Sequence, residues 1–158
     1  MNLAYSRSDD HSATEPGAVV AIEKVLRKVR AFTCLVIGNR VEADEIVEDA
    51  LILYLSTDPE PEETEAAAYV FLIAAVRRLM RTTGARARRG ADLDVGLAPL
   101  LQLPLETREI AALHLGSGFP VTETASLLGI TLEEAAAGLE TVRKSIGTET
   151  YDRAAPGA

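Results

Sequence analysis

Apolar residues in this chain recur with the period of an α-helix, and that spacing more than anything else limits what it can fold into. Val19, Ile22, Val25, Leu26, Val29, Phe32 and Leu35 fall three or four positions apart, and Gly38-Asn39 closes the run with residue types that stop helices. The short Val, Ile and Thr alternations of strands are missing, and alanine, leucine and glutamate dominate. The expectation is an all-α fold without a sheet.

The same reading sets the other elements. A second helix is expected over about 41–55, with Ile46, Val47, Ala50, Leu51 and Tyr54 inward and Glu42, Asp44, Glu45, Glu48 and Asp49 near its first turns, where acids suit the positive end of the helix dipole. Asp58-Pro-Glu-Pro-Glu-Glu interrupts the chain, because prolines oppose helix continuation. A third helix follows over about 63–81, nearly apolar in its first half and ending on Arg77, Arg78 and Arg81. Glycines and arginines 86, 88 and 89 then mark residues 82–95 as a linker. The expected organisation is a tail (1–17), a first helical lobe (18–81), a flexible linker (82–95), a second lobe (96–147) and a second tail (148–158).

The second lobe is read as short helices over 97–103 and 105–115, followed by helices over 122–128 and 132–146 that form a helix-turn-helix. Thr131 and Glu134 have the spacing of a capping box, which sets the start of the last helix. Such a motif places the N-terminal residues of its second helix against base edges, and DNA affinity rests heavily on Lys and Arg at phosphates. Here those residues are Glu133, Glu134, Ala136, Ala137 and Gly138, a surface that repels phosphate and offers no base contact.

The net charge of −8 is unevenly spread: residues 1–75 carry 6 basic and 14 acidic groups, 76–90 carry 6 basic and none acidic, and 91–158 carry 4 basic and 10 acidic. Acidic surfaces discourage nucleic acid and favour a basic protein partner. Arg77, Arg78, Arg81, Arg86, Arg88 and Arg89 could contact nucleic acid through phosphates or an acidic partner, although no stacking aromatics are interleaved among them. Cys34 is the one cysteine, so neither an internal disulfide nor a zinc site of cysteine pairs is expected. His114 has no nucleophile or second base beside it, which favours a structural role and a chain that is not an enzyme. No metal or cofactor is implied. The N-terminus lacks the apolar run of a signal peptide, and Ala66–Val76 is too short to span a bilayer, so a cytoplasmic protein without membrane contact is expected.

At Ala31-Phe-Thr-Cys-Leu-Val-Ile-Gly-Asn-Arg-Val-Glu-Ala-Asp-Glu-Ile-Val-Glu-Asp-Ala-Leu51 the chain resembles region 2 of the extracytoplasmic-function sigma factors, with their aromatic near the end of helix one, Gly-Asn/Asp-Arg turn and acidic second helix. Ala68-Tyr69-Val70-Phe71 resembles the family's Ala-Trp-Leu-Phe segment. Leu103-Pro-Leu-Glu-Thr-Arg-Glu109 and the segment Gly118 to Leu139 resemble region 4. The two halves occur in the family's order over about residues 20–147. The resemblance implies that Asp44, Glu45, Val47, Glu48 and Asp49 form a partner-binding face, toward an anti-sigma factor or toward RNA polymerase core.

The departures fall on the DNA-reading surfaces. Where the family's reading helix carries Lys, Ser and Arg, this chain has Ala136, Ala137 and Gly138, while Leu132 and Leu139 are expected to stay buried. The family's Arg-Asn pair of region 2 falls at Ala75-Val76. This pattern is similar to the sigma-like domain of PhyR-type regulators of the general stress response, which mimic a sigma factor and sequester an anti-sigma factor. Those regulators carry a receiver domain after the sigma-like part, whereas this chain stops at Ala158, which implies a fragment or a standalone sigma-like protein. The resemblance thus implies a sigma mimic with weak or no duplex DNA binding, whose partner sits in the groove between the lobes. The alternative is a divergent working sigma factor that binds polymerase core and promoter DNA.

Overall fold

The computed structural model describes residues 16–59, 64–82 and 98–147. Every regular element among them is helical: α1 (Pro16–Ile37), α2 (Arg40–Leu55), α3 (Glu65–Thr82), α4 (Ala98–Leu101), α5 (Leu105–Ala111), α6 (Val121–Leu128) and α7 (Leu132–Ile146). A single π-helical turn, Ala112–Gly116, continues α5 without a break. Residues 83–95 of the expected linker and residues 148–158 lie outside the described residues. α1 begins at Pro16, inside the stretch read as a tail. Proline suits a first helical turn, because its missing N–H is one that the helix leaves without an internal partner.

Local chemistry sets the corners. Gly38 takes a left-handed φ of 75° and closes α1 by donating to the Cys34 carbonyl at 2.8 Å. Asn39 then caps α2, its Oδ1 accepting from the Glu42 N–H at 3.2 Å. The turn of the helix-turn-helix is built the same way: Gly129 ends α6 at φ 67°, and Thr131 caps α7. The expected capping box is present, with Thr131 Oγ1 accepting from the Glu134 N–H at 3.1 Å and Glu134 Oε2 accepting from the Thr131 N–H at 2.8 Å. The bonds that Glu134 Oε2 accepts from the Thr131 N–H and, at 2.9 Å, from the Thr131 hydroxyl hold the Glu134 carboxyl below the usual carboxylate range. A Cβ on Gly129 would meet nothing, so the only penalty of a side chain there is its backbone conformation. We expect Gly129→Ala to lower stability by about 1–2 kcal/mol in chemical denaturation; an unchanged midpoint would show that the turn tolerates an L-residue.

α1, α2 and α3 pack on one another as a first lobe, and α4 to α7 form the second. The lobes share a core. Val29, Phe32, Val36, Leu72, Ile73 and Val76 of the first lobe belong to the same buried cluster as Ile110, Ala112, Leu113, Leu128 and Leu139 of the second. Leu100, Ala111 and Val142 make a small separate cluster within the second lobe. The π turn brings the chain against α1, where Gly116 meets the Leu35 side chain so closely that a Cβ would collide with it.

Candidate functional site

The seam between the lobes is polar at one end and open at the other. At the polar end, Glu109 of α5 is 1% exposed and faces two cations of α3: Arg77 Nε at 3.1 Å and Arg81 Nη2 at 3.4 Å. Arg77, 14% exposed, also donates through Nη1 to the carbonyls of Leu128 at 3.1 Å and Leu127 at 3.5 Å. It thereby satisfies the free carbonyls at the end of α6 and places a cation at the negative end of that helix. Arg108, buried, donates from Nη1 to the carbonyl of Val36 near the end of α1, while its Nε has no partner among the described residues. Burial pushes the Arg108 guanidinium down from its usual range, and Glu106 and Glu109 oppose that shift.

At the open end lies a groove of about 430 Å³. α1 contributes Val25 and Lys28, α3 contributes Glu65, Ala66, Tyr69 and Val70, and the second lobe closes it with Phe119, Glu123, Ser126 and Leu127. Its floor is apolar and its rim carries Glu65 and Glu123 together with Lys28. Glu65 is tied to Lys24 at 3.1 Å. The Tyr69 and Phe119 rings meet across the seam with centroids 5.3 Å apart. Burial raises the Tyr69 phenol above its ordinary value, and its hydroxyl has no hydrogen-bond partner among the described residues. His114 Nδ1 lies 2.7 Å from the Phe119 carbonyl. Because a carbonyl only accepts, that nitrogen carries the proton, and the ring pins the loop that bears Phe119.

The residues singled out from sequence are divided by this arrangement. Among the acids of α2, Glu45, Glu48 and Asp49 are exposed and share one face. Asp44 is held by Arg30 of α1 through two bonds of 2.5 and 2.9 Å, which keep its carboxyl below the usual range. Val47 is a core residue, not a surface contact. Of the arginines expected to contact nucleic acid or an acidic partner, Arg77 turns into the seam and is not available at the surface; Arg81 reaches Glu109 from an exposed side chain, Arg78 is exposed, and Arg86, Arg88 and Arg89 lie outside the described residues.

On α7, Glu133, Glu134, Ala136 and Ala137 face outward. Gly138 does not: a Cβ there would stand 2.5 Å from Ile110 Cδ1, so the position belongs to the seam with α5. Leu132, expected to be buried, is 53% exposed because it opens the helix ahead of its packed stripe of Ala135, Leu139 and Val142. Sequence reasoning singled out Arg108 and Glu109 only as part of a motif. Their burial was legible in one signal, two charged residues directly before the apolar run Ile110–Leu113 on a short helix.

Among the described residues no group of three metal-ligating side chains comes together, and no helix is long and apolar enough to cross a membrane. No family model and no curated protein matches the chain. A solved structure does: the sigma factor RpoE from Bartonella quintana, crystallised in complex with the anti-sigma factor NepR, superposes with a TM-score of 0.63 at 20% sequence identity, covering 81% of this chain and 92% of that one. The all-helical arrangement of two lobes is a sigma-factor fold.

Proposed function

We propose that this protein is a non-enzymatic, sigma-like regulator of transcription that binds an anti-sigma factor and does not read promoters. One observation carries the reading. The outward face of α7, where a reading helix needs cations, presents Glu133, Glu134, Ala136 and Ala137, while Arg77 is turned onto Glu109 inside the seam. The RpoE structure supports the choice of partner, since that protein was crystallised with an anti-sigma factor. The groove between the lobes is the seat we assign, because its apolar floor suits the apolar stripe of an amphipathic helix and its mixed rim, Glu65 and Glu123 with Lys28, suits charged residues beside that stripe. The likeness to PhyR-type regulators extends the reading to release of a true sigma factor during stress.

Affinity capture with the tagged chain, followed by mass spectrometry, tests the proposal. We expect a small anti-sigma protein and no polymerase core; recovery of core without such a protein overturns the reading in favour of a working sigma factor. Val70 lines the groove yet is half exposed, so Val70→Arg should leave folding within about 0.5 kcal/mol of the parent. Measured by calorimetry with the captured partner, the same change should weaken binding by about 2 kcal/mol or more, as for a buried anchor position. Unchanged affinity would move the partner elsewhere on the surface.

A further inference from the structure

We propose that Arg77, Arg81 and Glu109 form a latch that holds the two lobes closed in the absence of any partner, and that Arg77 is the positioning residue of the groove. The argument begins with burial. A carboxylate at 1% exposure is tolerable only with cations against it, and both cations come from the other lobe. Parting the lobes returns Glu109 to water, and closing them pairs it, so the closed state carries the charge without a large penalty only while Arg77 is present. Arg77 does a second thing. Its Nη1 holds the last carbonyls of α6, and the side chain of Leu127 from that same turn lines the groove. The bond that neutralises Glu109 and the bonds that fix the groove wall therefore belong to one guanidinium.

The consequence is a groove that exists before a ligand arrives. A partner that needs both walls meets them at their bound spacing and does not have to draw two lobes together, a saving that appears directly in its affinity. Loss of Arg77 would leave Glu109 buried with Arg81 alone, at 3.4 Å and from a side chain that is 46% exposed. The closed state then loses ground to the open one, in which the carboxylate is hydrated.

Thiol labelling measures that equilibrium without a partner, so its failure leaves the anti-sigma reading intact, and failed capture leaves the latch intact. With Cys34 replaced by alanine, Ala112→Cys places a probe on the π turn, 1% exposed and in the core shared between the lobes. Ala50→Cys places a control probe in the first lobe, 0% exposed. We expect Arg77→Met to speed labelling at Ala112→Cys at least tenfold, a shift of about 1.4 kcal/mol, with the rate at Ala50→Cys unchanged. Where Arg77→Met does not fold, Arg77→Gln, which keeps a polar side chain at the seam and removes the cation that faces Glu109, is read in the same way. Equal acceleration at both probes would mean general destabilisation, and no acceleration at either would mean that the apolar seam holds the lobes unaided; each result overturns the latch.

Discussion

Truncating Leu113 to alanine is expected to lower the stability of the whole chain by about 2–5 kcal/mol, the range for emptying a fully buried leucine site, in one unfolding transition. Leu113 is 0% exposed and sits in the π turn of the second lobe, yet the cluster that surrounds it includes Val29, Phe32 and Val36 of α1. The residue therefore supports both halves at once. If the halves kept separate cores, denaturation would show two transitions and the substitution would move only the later part of the chain. With a shared core, far-ultraviolet circular dichroism in urea should give one transition whose midpoint falls while its slope is kept, because the area exposed on unfolding is nearly the same. Two resolved transitions, with only one displaced, would refute the shared core.

The periodic apolar positions made the helices legible from sequence, and their boundaries fall within a few residues of the structure because the stop and cap residues act locally. Gly38-Asn39 and Thr131-Glu134 carry their own hydrogen bonds and need no distant neighbour. The seam was not legible in the same way, because it depends on which faces of two lobes meet. Arg77 stands in a run of arginines that sequence alone groups as contacts for nucleic acid or an acidic partner; what separates it is its place four residues after Ile73 and three before Met80, both buried. An arginine beside that stripe reaches inward, whereas Arg78, one residue on, points 100° further round and is exposed.

Gly138 was misplaced for a related reason. Matching it to a family motif assigned it to the DNA-facing set by order along the chain, whereas helical rotation puts it three residues after Ala135 and four before Val142, on the packed stripe. The contact with Ile110 explains why a small residue stands there, and a motif contains no information about the neighbouring helix. Within the candidate site, the outward acids and alanines of α7 and α2 were thus readable one residue at a time. The buried pairing of Arg77 with Glu109, separated by 32 positions, was not.

Purified and unmodified, the chain is expected to show no sequence-specific affinity for duplex DNA. A good bidentate base contact is worth about 1–3 kcal/mol, and the exposed side chains of α7's first two turns hold no cation that could make one: Glu133 and Glu134 are acids, and Ala136 and Ala137 end at a methyl. The cations further along, Arg143 and Lys144, lie against Glu140 at 3.6 and 3.7 Å. The structure also dictates how to restore binding. Glu134 closes the cap of α7 and Gly138 packs on Ile110, so both should be left in place. Glu133→Lys, Ala136→Lys and Ala137→Arg change only outward positions and should be nearly neutral for stability. Each phosphate that the triple variant neutralises should steepen the dependence of log affinity on log salt by about 0.9, so three contacts approach about 2.7. Fluorescence anisotropy with a labelled duplex at several salt concentrations reads that slope directly. A gain in affinity that does not respond to salt would contradict the phosphate mechanism. Tight binding by the unmodified chain, with protection on α7, would end the case for a mimic, because a helix that reads promoters with glutamate and alanine would need contacts that its outward face does not offer.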